Sequence, residues 1–281
     1  MKKKFLAALN WLILSGSTLL VCLFLGIILW DIFSKGMPAL SWDFVLQFPT
    51  DGMTKGGILP ALVGTVLLTF IATLFAVPFG VACAIYLNEY ARPSVLTNTI
   101  RASIRNLAGI PSIIYGLFGL ALFVQALQLG TSILSAGLTL GLLSLPYIIT
   151  TTEEALKRIP NSMREATLAL GATQFETIRD VVLPQALPGI LTGVILTISR
   201  AAGETAPILF TGVAFYINGF TTSASQEFMA LPYHLYVLST QHSAIEQVRP
   251  LAYATAVVLV LLVFVLNITA FIIRFKYRTQ D

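Results

Sequence analysis

Charge is scarce in this chain. Lys, Arg, Asp and Glu make up 11% of its 281 residues, against about 25% in soluble domains, too little polar surface to cover a soluble fold of this size. Cysteine is scarcer still: Cys22 and Cys83 are the only two, each inside an apolar stretch, so a disulfide framework is excluded and packing is their expected role. The two histidines, His234 and His242, lack a partner at metal-ligand spacing and read as ordinary surface residues. No G-x-x-x-x-G-K-[ST] run occurs, so the chain has no P-loop of its own for ATP. No Ser-Lys, His-rich or paired-Asp arrangement falls within an apolar run to support an intramembrane enzyme. No basic stripe interleaved with aromatics lies outside those runs, so the net charge of +4 does not point to nucleic acid.

What is present is apolar, with a mean hydropathy of +0.84. Charge-free runs cover residues 5–30, 56–88, 106–152, 181–199, 205–226 and 250–273. A helix of about 20 apolar residues crosses a hydrocarbon core. The run 106–152 would make a helix of roughly 70 Å, so it must fold into two crossings that turn at Leu129-Gly130-Thr131-Ser132. The expectation is an all-α polytopic membrane bundle of six transmembrane helices, near 11–32, 59–87, 109–128, 133–151, 188–213 and 251–273. The fifth contains Arg200 and Glu204. Short elements are expected in the long connections as well: aromatic anchoring over 33–58 and a helix near 226–239.

Orientation follows from the basic residues of the short loops. Six spans put Lys2, Lys3, Lys4, Arg92, Arg101, Arg105, Lys157, Arg158, Arg164, Arg179, Arg274, Lys276 and Arg278 on one side, and only Lys35, Lys55 and Arg249 on the other. Both termini are therefore expected in the cytoplasm of a multi-pass plasma (inner) membrane protein. The first apolar run is too long for a signal-peptide core and lacks a small-x-small site, so it reads as an uncleaved helix.

Residues 153–184 form a charged island between two spans. A connection that only reverses the chain needs about two to eight residues; this one has 32. Ser162-Met163-Arg164-Glu165 and Thr173-Gln174-Phe175-Glu176 each have the form of a capping box. Met163, Ala166, Thr167 and Leu170 make one apolar stripe, Gly171 is a left-handed stop, and Leu183-Pro184 is expected to end the second helix. The element is helix–Gly–helix with a polar face toward the cytoplasm. It either rests on lipid or is gripped by another protein.

Glu165-Ala166-Thr167, then Gly171, then Val181-x-Leu183-Pro184, resembles the EAA signature of ABC importer permeases, with Thr167 where Ala is typical and Val181 where Ile is. Gly57-Ile58-Leu59-Pro60-Ala61, Ala84-Ile85-Tyr86-Leu87-Asn88-Glu89-Tyr90, Leu107-Ala108-Gly109-Ile110-Pro111-Ser112 and Ser199-Arg200-Ala201-Ala202-Gly203-Glu204-Thr205-Ala206-Pro207 resemble the phosphate-specific permeases of that family. The resemblance implies a type I ABC importer architecture. It divides the chain into an N-terminal helix and external loop (1–56), a transmembrane domain (57–273) with its coupling element (153–184), and a cytoplasmic tail (274–281). Arg164, Glu165, Ala166, Gly171, Leu183 and Pro184 would couple to an ATPase. The implied partners are a second, PstC-like permease subunit, two PstB-like ATPases using ATP and Mg, and an external PstS-like phosphate-binding protein. This chain would be non-catalytic and bind no cofactor.

Arg200 and Glu204 lie four residues apart and deep in the fifth span, where charges are costly and normally face a cavity, a partner or a transport path. An arginine there suits an oxyanion, and Glu204 can hold or release it. Gly203 permits close approach, and Thr205 continues the candidate substrate path. A self-neutralising pair that only packs the bundle is the alternative. Chemistry alone does not separate phosphate from sulfate or molybdate, the resembling run occurs in PstC-like subunits too, and a stand-alone carrier or channel is the reading from a different class.

Overall fold

The computed structural model describes residues 2–217, 219–221 and 223–276, with side chains from residue 10 onward. The side chains of Lys2, Lys3 and Lys4, and Arg278 with the end of the predicted tail, lie outside the described residues.

The chain is helical almost throughout, as its apolar periodicity requires. α1 (Lys2–Gly36) is a long helix whose apolar residues from Trp11 to Ile28, Cys22 included, face outward. It is held at one end: the Tyr253 hydroxyl donates to Asp31 at 3.1 Å, Lys35 pairs with the same carboxylate, and Gly36 lies against the Tyr253 carbonyl. The 37–58 connection holds α2 (Trp42–Leu46), capped by Ser41, and a two-residue hairpin of β1 (Pro49–Thr50) and β2 (Lys55–Gly56). That hairpin and an isolated bridge between Val213 and Phe228 are the strand pairings, among the described residues, absent from the all-α expectation.

α3 (Leu59–Ile85) buries a stripe of small residues, Ala61, Gly64, Thr65, Ala72, Ala76, Gly80 and Ala84. Small side chains let membrane helices approach closely; Gly80 receives the Ile148 side chain of α6 (defined below), and Gly64 sits against the Met229 carbonyl. Past Ile85 the helix widens into a π turn over Tyr86–Tyr90, with Ala91 N–H donating to the Tyr86 carbonyl at 2.9 Å.

The 88–108 segment, expected only as a loop, contains α4 (Val95–Leu107), a helix with Arg101 and Arg105 on one side and exposed Val95, Leu96 and Ile100 elsewhere. A bend of 103° separates it from the Ser112–Ala126 helix, which begins as α5 (Ser112–Gly119) and ends in a π turn. Pro111, extended at the start, fixes the corner. The predicted turn follows, with Gly130 at φ +68°.

α6 (Ile133–Lys157) forms the centre of the bundle and packs on α3, α5 and α9 (below). It continues through Glu153 and Glu154, so the first residues of the island are the end of a transmembrane helix. α7 (Asn161–Ala169) and α8 (Gln174–Thr177) follow. The second predicted capping box is present, Thr173 and Glu176 bonding reciprocally. The first is not: Pro160 is already extended at the N-cap, which puts Ser162 inside the helix.

Pro184 does not end the second helix. A π turn over Ile178–Val182, with Leu183 N–H bonding the Ile178 carbonyl, precedes α9 (Leu183–Gly203) and absorbs the missing proline donor. One continuous path therefore runs over Gln174–Gly203. At its far end the expectation to 213 fails: α9 stops at Gly203, and Glu204 is extended at φ −75°, ψ 132°. Pro207, three residues on, could not have joined the helix without losing its bond to Gly203.

The 214–250 segment contains α10 (Leu231–Thr240), shifted from the expected 226–239, and α11 (Ile245–Lys276) completes the bundle. His234, in α10, and His242, just after it, are both buried, against the expectation of surface residues. Apolar neighbours Met229, Leu231, Val237 and Leu238 close the site. Among the described residues five helices are long and apolar enough to span a membrane, and the bent pair with α4 is a sixth candidate.

Candidate functional site

The sequence singles out two places, and the structure puts them at opposite ends of one helical path. At the far end, Arg200 occupies the last turn of α9, where a cation complements the negative helix terminus. Its Nε donates to Glu204 Oε1 at 3.0 Å, and its guanidinium carbon lies 4.5 Å from the centre of the Tyr147 ring. Tyr147 is near the middle of α6, so the pair is far from either end of the bundle. Its hydroxyl donates to the Ala108 carbonyl at 2.9 Å, at the sharp corner between α4 and α5, and Tyr115 donates to Leu107 at the same corner.

Beyond Glu204 the chain continues as irregular backbone, through a short turn over Ile208–Phe210, until the Thr211 carbonyl accepts from Ser132 N–H at the start of α6. Non-helical backbone at membrane depth is tolerated only where it is buried in protein or lines a cavity. Pro207, Ile208 and Thr211 meet that condition by burial. Arg200 does not: its side chain is 40% exposed and that of Glu204 16%. Gly203 has open space around it and Thr205 is half-buried. The four predicted path residues therefore lie together at a helix break on a face left partly open. The neighbouring Ser199 hydrogen-bonds Asn267 of α11.

At the near end, α7, Gly171 and α8 project from the bundle. Gly171 has φ +91° with nothing near it, so it is there for its backbone. Glu165 and Ala166 are exposed, and so are Met163, Leu168, Leu170 and Phe175, the last two at 88% and 63%. The face expected to be polar is thus largely apolar at its tip. Val182 packs inward with Leu156, Ile159 and Ala186, and Ile178 is buried as well, which roots the element in the bundle.

Arg164 does not join the exposed face. It turns inward and contacts Glu89 through Nε and Nη2 at 3.1 and 2.8 Å. Leu183 and Pro184, half-buried and exposed, form the first turn of α9. Sequence reasoning did not give Tyr147, Asn267 or Glu89 a role. Asn267 was findable as an isolated amide in an apolar run; Tyr147 was not, since nothing local marks which tyrosine a distant arginine will cover.

A helical membrane bundle broken beside an internal ion pair, with a rooted element projecting from one end, defines a transport subunit that works with further proteins. The comparisons agree. Residues 76–279 match the family described as binding-protein-dependent transport system inner membrane component, and the chain belongs to that family. It is 36% identical over 244 residues to the phosphate transport system permease protein PstA of Pasteurella multocida, covering 86% of this chain and 85% of that one. It is 38% identical over 242 residues to PstA of Haemophilus influenzae, covering 86% and 84%. It is 34% identical to the probable ABC transporter permease YqgI of Bacillus subtilis, with 84% of each chain covered. In fold it resembles a bacterial alginate ABC transporter (TM-score 0.69, 14% identity, 93% and 92% covered) and the inward-facing methionine transporter MetNI (TM-score 0.62, 20% identity, 79% and 96% covered).

Proposed function

We propose that this chain forms half of the membrane path of an ATP-driven phosphate importer, paired with a PstC-like subunit. ATP would be hydrolysed with Mg by two PstB-like subunits, and a PstS-like protein would deliver phosphate from outside. The chain itself is non-catalytic in this reading and binds no cofactor. Its termini and the 153–184 element face the cytoplasm, in accord with the distribution of Lys and Arg, and the division at 56/57 and 273/274 follows the transmembrane domain.

One observation carries the reading: Arg200 is partly open at the break in α9, deep in the bundle. Facing lipid there, a charge would cost several kcal/mol. Facing a path shared with a second subunit, it meets water and anions. A guanidinium binds phosphate oxygens in pairs. Phosphate competes with Glu204 for the same nitrogens, so anion passage and release of Arg200 from Glu204 are one event. Other oxyanions share this chemistry; the likeness to two PstA proteins favours phosphate. The exposed apolar tip of α7 and α8 is the surface for the ATPase, and its continuity with α9 delivers that motion to Arg200.

The test is phosphate uptake by the assembled complex carrying Arg200→Gln. Uptake should be abolished with assembly intact, and wild-type uptake would refute the role of the pair. Competition by sulfate and molybdate in the wild-type complex tests the choice of anion.

A further inference from the structure

We propose that Glu89 is a positioning residue for the coupling element, clamping it to the end of α3 so that α3, α6 and α7 move as one body. The proposal rests on the importer reading above. It concerns a second route for the ATPase's motion, beside the continuous α9.

The clamp is built from largely buried side chains. The Glu89 side chain is 7% exposed and that of Arg164 16%. Glu89 Oε1 accepts from Arg164 Nη2 at 2.8 Å and from Asn88 Nδ2 at 2.8 Å, while Oε2 accepts from Arg164 Nε at 3.1 Å. The pair is two-pronged, the geometry that fixes orientation as well as distance. Arg164 also donates to the carbonyls of Leu156 and Ile159, at 3.0 and 2.7 Å. These groups lie at the end of α6, where carbonyls lack helical partners. On the other side, Gln174 of α8 donates to the Glu89 backbone carbonyl at 2.6 Å. The π turn over Tyr86–Tyr90 carries Glu89.

A parallel tie lies one layer deeper. Arg101 of α4 donates to Glu153 of α6 at 3.0 Å and to the Leu87 carbonyl of the same π turn. A bundle that needed the handle only for docking would have no use for buried charges joining it to α3, since apolar packing is often as stable. What a two-pronged charge pair adds is fixed geometry.

The experiment uses the full complex in proteoliposomes and reads phosphate imported per ATP hydrolysed. Glu89→Gln should lower that ratio on the order of tenfold, the effect of losing a charged hydrogen-bonded pair, while the ATPase still co-purifies. Glu89→Asp should recover part of it. Spin labels at Ser162 and Arg92 should keep a constant separation on ATP binding in the wild type and change separation in Glu89→Gln. Gln174→Ala removes a surface bond and no buried charge, so it carries the same test if Glu89→Gln does not assemble; its ratio should fall roughly twofold. A wild-type ratio, or unaltered label separations, in whichever of the two variants assembles overturns the clamp. A wild-type complex that imports no phosphate refutes the importer reading instead.

Discussion

Arg200 and Tyr147 face each other across α9 and α6, guanidinium carbon to ring centre 4.5 Å, at the level where α9 ends. The ring holds the cation from one side while Glu204 holds it from the other at 3.0 Å. Tyr147 is itself fixed by its bond to Ala108. A cation over an aromatic face gains about 0.5–2 kcal/mol, and that gain presents Arg200 in one orientation. Tyr147→Leu should therefore lower phosphate uptake about fivefold, while Tyr147→Phe, which keeps the ring, should lie close to wild type. Initial uptake rates of the two variants check this. Equal loss in both would mean that the Ala108 bond matters more than the ring.

Gly171 separates the two helices of the handle at φ +91°, with no atom near the place a Cβ would occupy. Any cost of substitution there is conformational. Gly171→Ala should cost about 1–2 kcal/mol and reduce the ATPase retained on purification, and Gly171→Asn should retain more, since Asn enters this region more readily. Quantifying both subunits on a gel after affinity purification measures the difference.

Gly64 of α3 lies against the backbone carbonyl of Met229, with the Phe228 ring beside it. Backbone cannot swing aside as a side-chain tip can. Gly64→Ala should destabilise the detergent-solubilised protein by about 1–3 kcal/mol, seen as a lower unfolding temperature. Gly16→Ala, inside α1 with open space around it, should not lower that temperature.

His234 is buried among apolar side chains, and burial pushes its pKa down to about 4, with the nearby His242 adding to the effect. The unfolded value is about 6.5. Between those values the unfolded chain holds a proton that the folded one does not, so stability is present above about pH 6.5 and declines as pH falls toward 4. The full loss is roughly 3 kcal/mol. Once the intrinsic slowing of exchange at lower pH is divided out, the protection of α10 amides should fall from pH 7 to pH 5, and His234→Phe should remove that fall.

Much of the fold was legible because apolar run length and charge position are one-dimensional signals. Five spans, a sixth candidate that is bent by 103° from α4, the turn at Gly130 and the Thr173–Glu176 cap all came from them. The end of α9 did not: residues 188–213 are long and apolar enough to span despite Arg200 and Glu204, and the break comes from Pro207 and from packing with Ser132. α4 was missed because its segment is short, basic and of a length that fitted a loop, although Leu96, Ile100, Ile104 and Leu107 recur at helical spacing within it. The histidines were misplaced because burial at 234 and 242 depends on α10 and its flanks packing onto distant parts of the chain, as His242 does against the Gly52 carbonyl. At the candidate site, Arg200 and Glu204 were visible as charges in an apolar run. Their partner Tyr147, and the inward turn of Arg164 onto Glu89, depend on contacts between distant parts of the chain.

The measurement that bears most directly on the account is accumulation of labelled phosphate in proteoliposomes holding both permease subunits, the ATPases and the external binding protein. The account predicts accumulation that requires ATP, and that stops when the ATPase is omitted or when Arg200 is replaced by Gln. Equal uptake by the permease subunits alone, without ATPase or ATP, would contradict it.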